Sequence, residues 1–449
     1  MNPWGKEPRI SVSPVLSIPS SASRRSFLKL SATALAAPLL LKGQSLTEVP
    51  RQAPKQRYDL LEEMERRACR YFYDEAHPQT GLVRDRVRIK GPDDRRIASI
   101  AATGFGLSAL CISSTQGYLA PDEALARAER TLNFLARRAP RHNGFYYHFC
   151  DMETGERAWQ SELSSIDTTW LLCGVLHARS HFDTRKIRRL AGEILDRVNW
   201  RWMWDGGPTL SHGWTPENGF LPYRWDSYSE LLAMYLLAMG STTYPIPSSS
   251  WDAWERPSKP SQANDFIESA APLFVHQYSH AWFDFRNKQD GYADYFQNSQ
   301  RATEAHRQFC MALATKFPWY SGDLWGVTAS DSRGGYLAWG GPASAGKVDG
   351  TLVPCAAGGS LVFLPSECTT VLETMFERYG KQVWNQYGFV DAFHPQEKWY
   401  SPDAIGIDLG IMLLMAENLR TESVWRAVMS TPEARQGMTA AGFFNANDV

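Results

Sequence analysis

Three carboxylates and one histidine-rich segment hold the residue types that could do chemistry. The run Tyr223-Arg224-Trp225-Asp226-Ser227-Tyr228-Ser229-Glu230 leads into the apolar stretch Leu231 to Ala238. Asp226 and Glu230 are four apart, so they share a face if both are helical. The same residues fit a capping box, with Glu230 reaching back to the Ser227 amide. Asp167 opens a helical run behind Ser164-Ser165-Ile166, where the helix dipole favours a carboxylate in any case. Asp408 lies inside the apolar run Ala404 to Ala416, which Ser401-Pro402 would cap and start. Burying an unpaired carboxylate is costly, so Asp408 must be paired, hydrogen-bonded, protonated or turned to a wet cavity. Gly406 and Gly410 flank it and weaken a helix interior, which points to close approach of another element. His276 and His280 have the spacing of metal ligands, but the Glu of His-Glu-x-x-His is missing. A segment offering His276, Gln277, Tyr278, His280, Asp284 and Arg286 suits sugar hydroxyls better than a metal, and no metal or cofactor is expected.

Helical periodicity dominates the elements that must position these groups. Apolar residues recur at three- and four-residue steps over Tyr58 to Ala76, Ile97 to Ser114, Pro121 to Arg138, Ser165 to Phe182 and Thr184 to Trp200. The same pattern marks Trp225 to Met239, Ser269 to Phe285, Gln300 to Phe317, Pro365 to Tyr379 and Pro402 to Leu419. With no sustained strand alternation, the fold class is all-α. Asp167 to His177 and Ala404 to Ala416 are apolar nearly all round, whereas Tyr58 to Cys69 and Pro121 to Arg138 are amphipathic. Two classes of helix imply a buried inner layer and an outer layer with one wet face, the arrangement of an (α/α)6 toroid. Ser241 to Pro260 reads as an inserted surface loop within one domain.

The chain has 449 residues, with 47 basic against 48 acidic. A net charge of −1 removes the electrostatic case for nucleic acid. The outlier is aromatic: 17 Trp, 18 Tyr and 21 Phe, many beside Gly, Asn, Asp and Pro, as in Asn143-Gly144-Phe145-Tyr146-Tyr147-His148. Flat rings with a polar rim grip sugars, although a large aromatic core gives the same count. The seven cysteines are widely spaced without Cys-x-x-Cys, so neither zinc nor a disulfide framework is signalled. Ser23-Arg24-Arg25-Ser26-Phe27-Leu28-Lys29 precedes a short apolar run, Leu30 to Leu41, in the pattern of a twin-arginine export signal. The expected organisation is a signal and the start of a linker over 1–45, linker over 46–56, one domain over 57–435 and a tail over 436–449. A periplasmic or secreted monomer, reached through the twin-arginine export machinery and without a stable membrane span after processing, is the expectation.

Several segments, in one order from about Tyr71 to Met429, resemble the glycoamylase-like domain family, which includes endo-β-1,2-glucanases of glycoside hydrolase family 144. They are Gly144 to Gly155, Asp167-Thr168-Thr169, Trp225 to Glu230, His276 to Arg286, Trp325 to Asp331, Asp349 to Pro354, Tyr387 to Phe393 and Ile407 to Gly410. The resemblance implies an (α/α)6 barrel, a carbohydrate substrate (most often a β-1,2-glucan) and no metal. It implies hydrolysis by two carboxylates, one protonated to donate to the leaving oxygen and one ionised to activate water, with inversion expected. Glu230, behind Trp225 and Tyr228, becomes the candidate acid, and Asp408 or Asp167 the candidate base. Asp151, Trp225, Asp226, Tyr228, His276, Gln277, His280, Asp284, Arg286 and Asp391 become candidate sugar-binding residues. Two departures stand out. Leu409 and Ile411 replace the Gln and Pro usual around the late Asp-x-Gly, and Ser164 replaces a carboxylate one turn before Asp167. A transglycosylase, or a glycan-binding protein without turnover, is the alternative those departures raise.

Overall fold

Short strands feed the helices that matter most. In the computed structural model, which describes residues 55–257, 266–269, 272–339 and 348–445, Ile97–Ser99 runs straight into one helix. Leu163–Ser164 and Asp403–Ile405 run into two others in the same way. The helices are α1 (Lys55–Asp74), α2 (Ile100–Gln116), α3 (Pro121–Arg137), α4 (Ser165–Phe182), α5 (Arg185–Leu195), α6 (Trp200–Trp204) and α7 (Leu232–Met239). They continue with α8 (Ser249–Asp252), α9 (Tyr295–Ala312), α10 (Pro354–Gly358), α11 (Pro365–Val383), α12 (Gly406–Thr421), α13 (Ser423–Met429) and α14 (Pro432–Ala440). Strands are two or three residues long and pair only in twos and threes.

The architecture is the (α/α)6 toroid, and the two classes of helix separate by burial. In α2, α4, α7, α10 and α12 nearly every residue is buried; they form the inner ring. In α1, α3, α5, α9 and α11 one face stays wet; they form the outer ring. Ser99 caps α2 by accepting from the Ala102 amide, and Ser164 caps α4 by accepting from the Asp167 amide. The inner helices α2 and α4 touch backbone to backbone. A Cβ on Gly104 would lie 2.2 Å from the Trp170 carbonyl, and one on Gly174 would lie 2.1 Å from the Gly104 carbonyl. The close approach expected at Gly406 and Gly410 is also present. A Cβ on Gly410 would meet the Phe105 ring at 2.4 Å, and one on Gly406 would meet the Ala102 Cβ at 3.0 Å.

Several elements differ from the sequence expectation. Helix α7 begins at Leu232 rather than Trp225, because the backbone before it is engaged elsewhere: Trp225 donates to the Leu210 carbonyl and Tyr228 to the Glu255 carbonyl. Asp226 and Glu230 therefore share no helical face, and no Ser227 capping box forms. The segment expected as one helix over Ser269 to Phe285 is two 3-10 turns, Leu273–His276 and Tyr278–Ala281. Their side chains bond outward to neighbours, and this replaces helical continuity. Helix α12 starts at Gly406, so Asp408 sits in its first turn rather than well inside it. The stretch from Ser241 contains α8 and buries Trp251 and Trp254, so it is anchored rather than a plain surface loop. The expected tail from 436 is structured as far as Asn445: α14 packs on α7, and Phe444–Asn445 pairs with Lys288–Gln289. The twin-arginine segment and the linker up to residue 54 lie outside the described residues. Among the described residues, no helix is long and apolar enough to cross a membrane.

The α2–α4 contact leaves no flexible side chain to yield. Gly174→Ala should therefore destabilise the protein by about 3 kcal/mol, at the upper end of overpacking costs, as measured by urea denaturation. A change below roughly 0.5 kcal/mol would show that the two helices separate freely.

Candidate active site

The three candidate carboxylates all stand at N-terminal ends of inner helices. Asp167 and Asp408 are each the third residue of their helix, α4 and α12, and Glu230 lies two residues before α7. A helix N-terminus stabilises negative charge, which offsets part of the cost of bringing carboxylates together away from water. Asp167 is in turn an electrostatic neighbour of Glu230. Glu230 and Asp408 both act electrostatically on the Tyr278 hydroxyl.

Glu230 is half-buried and its backbone is pinned, because the Ser279 hydroxyl donates to its carbonyl at 2.7 Å. Burial pushes its carboxyl up to about 7, and the charge of Asp167 adds to the rise. Asp167 has a different environment. Ser164 Oγ accepts from its amide at 3.1 Å and donates to its Oδ2 at 2.5 Å. His148 Nε2 approaches its Oδ1 at 3.5 Å. Burial still raises Asp167, with His148 and Ser164 opposing that rise. The other nitrogen of His148 lies 3.0 Å from Glu162 Oε1. Burial alone would lower His148, but Asp167 and Glu162 outweigh it and lift the imidazole to about 9. A histidinium bridging two carboxylates results. One ligand atom each from His148, Glu162 and Asp167 lies within 4.8 Å of the others, a spacing that a metal could also use. The ring nitrogens, however, already face one carboxylate each at ion-pair distance.

The third carboxylate belongs to a larger cluster. Arg86 binds Asp331 at 2.9 Å and Asp85 at 3.1 Å, and Arg95 grips Asp403 with both terminal nitrogens, at 2.7 and 2.8 Å. Asp391 accepts from the Asp331 amide at 2.7 Å, and Asp408 takes the Cys355 thiol at 3.4 Å. The arginines thus contact the outer acids and leave Asp391 beside Asp408. Burial, then mutual repulsion, raises Asp391, and burial raises Asp408, so the pair holds a proton between them. Asp391 Oδ1 and Asp408 Oδ2 are buried and make no other hydrogen bond, as expected of a pair that shares a proton.

The remaining sequence candidates divide sharply. Trp225 is buried, its indole N–H donating to Ser165 Oγ at 2.9 Å while its ring stacks on His212 at 3.9 Å. Tyr228 is buried against His276, hydroxyl to Nδ1 at 3.1 Å. Gln277 donates to the Ala356 carbonyl and to Ser360, and His280 meets Ser299 at 3.0 Å. Burial lowers both histidines to about 3. His276 and His280 thus face different partners and do not pair as metal ligands. Asp284 and Arg286 clamp one another, and Arg286 continues to Glu422 and lies over the Trp425 ring. These groups, expected to meet sugar hydroxyls, are each in contact with other protein groups. Asp226 is exposed, and Asp151 Oδ1 folds a turn by accepting from the Glu153 and Thr154 amides. His148, Glu162, Arg86 and Asp331 were not singled out by spacing. His148 and Asp331 nonetheless lie in segments that carry the family resemblance, which was the available signal.

Comparison with known proteins agrees with the fold. Residues 222–432 match the Glycoamylase family model, whose description reads "Putative glucoamylase". The structure of an endo-β-1,2-glucanase from Chitinophaga pinensis, in complex with sophorotriose and glucose, is 26% identical with a TM-score of 0.79. That similarity covers 86% of this chain and 98% of that one. A β-1,2-glucanase from Parabacteroides distasonis shares the fold, with a TM-score of 0.79 at 24% identity over 87% of this chain and 60% of that one. A curated relative from Parabacteroides distasonis is an exo-β-1,2-glucooligosaccharide sophorohydrolase acting at the non-reducing end. It is 25% identical over 418 residues, 84% of this chain, and the chain spans 57% of that relative's length.

The bridged histidine gives a direct check. The His148 ring should titrate near pH 9 by NMR, and Glu162→Gln should lower that midpoint, because one of the two charges favouring the imidazolium is removed. A midpoint near 6.5 in both proteins would show that the bridge does not form.

Proposed function

We propose that this protein is an exported glycoside hydrolase that cleaves β-1,2-linked glucan with Glu230 as general acid. The observation that carries the reading is Glu230 itself: a half-buried carboxyl lifted to about 7, electrostatically coupled to Asp167. A general acid that must be protonated near neutral pH needs this environment. The glucan linkage rests on the names of two similar proteins, 25% and 26% identical, which act on β-1,2-linked glucose. Export rests on the twin-arginine pattern of the first 45 residues.

Glu230 donates its proton to the glycosidic oxygen as the bond to the anomeric carbon breaks. A carboxylate on the opposite side takes a proton from the water that attacks that carbon. That base is Asp167, held beside histidinium, or Asp408, paired with Asp391. Asp167 and Asp408 stand on different inner helices, and both Asp408 and Glu230 act electrostatically on Tyr278; inversion is the outcome this reading expects. From a β-linkage, inversion releases an α reducing end.

Linear β-1,2-glucan incubated with the purified protein should give short β-1,2-linked oligosaccharides with rising reducing ends. Redistributed chain lengths without new reducing ends would mean glycosyl transfer, and unchanged glucan that is still bound would mean a binding protein. Glu230→Gln should lower turnover roughly 10²–10⁴-fold while sugar binding persists. Near-normal activity in that variant would remove Glu230 from the role. Because the acid must carry its proton, kcat/KM should fall as pH rises through about 7. Protonation of the base should set a second decline on the acid side, giving a bell. Exogenous azide should rescue turnover with formation of an α-glycosyl azide in whichever of Asp167→Ala and Asp408→Ala removes the base, and a β-glycosyl azide would contradict inversion.

A further inference from the structure

Resting on that hydrolase reading, we infer that Trp159 is a stacking platform for a glucosyl unit of the bound chain, away from the bond that is cut. Of the large apolar side chains among the described residues this one is the most open, 68% exposed. It does not hang loosely. Trp159 and Gln160 both adopt left-handed backbone conformations, at φ 52° and 55°, which residues with a Cβ disfavour. Surrounding bonds hold them there. Ala158 donates to the Phe149 carbonyl at 3.0 Å, and Ser161 Oγ both accepts from the Phe149 amide and donates to its carbonyl. Arg157 donates to the Gln160 and Ser161 carbonyls, pairs with Glu217 at 2.7 Å and lies over the Tyr147 ring.

A hydrophobic ring kept in water by a disfavoured, fully braced backbone is poised for a ligand. Its position indicates which ligand. The Trp159 ring lies 5.1 Å from Phe149, and Phe149 stacks on His148 at 3.9 Å, the same imidazole that pairs with Asp167. Two ring contacts thus lead from the catalytic carboxylates to an open indole. A chain of β-linked glucose units presents apolar pyranose faces, which complement an indole, and hydroxyl edges, which complement the exposed Gln160 amide. The Asp151 turn at the base of the same loop then has a purpose: it anchors the platform.

The test compares kcat/KM on long linear β-1,2-glucan with kcat/KM on the shortest β-1,2-gluco-oligosaccharide that is cut, for the wild type, Trp159→Ala and Trp159→Phe. The ratio of long to short should fall about tenfold in Trp159→Ala, the loss of one buried ring face, and recover in part in Trp159→Phe. In native gels containing the glucan, Trp159→Ala should be retarded less than wild type. Wild-type turnover with an unchanged ratio and unchanged retardation in Trp159→Ala would overturn the platform alone. A wild-type protein neither cutting nor retarded by the glucan would overturn the hydrolase reading, and the platform with it.

Discussion

Bringing several carboxylates to one end of a helical ring is the constraint from which the remaining features follow. Each inner helix delivers its N-terminus to that end, and Asp167 and Asp408 occupy the same third position of their helices. Like charges withdrawn from water repel one another and lose hydration, so such a cluster stands only if charges are matched or protons retained. Both solutions are used. Arg86, Arg95 and His148 match Asp85, Asp331, Asp403, Glu162 and Asp167, while Asp391 with Asp408, and Glu230, keep protons. The unmatched groups are the ones able to donate a proton near neutral pH.

The scaffold explains why these groups can be held so closely. Inner helices touch without intervening side chains at Gly104 and Gly174, and Gly410 lets α12 settle on Phe105. Short strand pairs fix where each helix begins: Ile97–Ser99 against Phe149–Asp151, and Asp403–Ile405 against Arg86–Arg88. The second pair also brings Arg86 and Asp403 into the acidic cluster, so one element sets both the start of α12 and its electrostatics. Histidines and aromatics from the 273–286 segment fill the space behind the site. Within the same segment, Ser279 holds the Glu230 backbone by donating to its carbonyl.

Fold class was legible because burial on all sides and burial on one face leave different patterns, and α4 and α12 show the first while α3 shows the second. Glu230, Asp167 and Asp408 were legible as isolated carboxylates against apolar runs. Their neighbours were harder. His148 lies 19 residues from Asp167 in a loop with no periodicity, and it meets that carboxylate only through the pairing of strands around the ring. Helical spacing also misled. Asp226 and Glu230, like His276 and His280, are four apart in sequence, yet neither pair lies on a regular helix, because backbone and side-chain bonds to other loops outweigh local propensity. Ser164 read as a departure from the family pattern; in the structure it caps α4 and donates to Asp167, so a hydroxyl holds that carboxylate in place.

Infrared or ¹³C NMR titration of the Glu230 carboxyl, assigned by difference against Glu230→Gln, tests the coupling most directly. The account predicts a midpoint near 7 that moves down in Asp167→Asn, since a neighbouring negative charge is removed. A wild-type midpoint near 4.5, or one indifferent to Asp167, would contradict it.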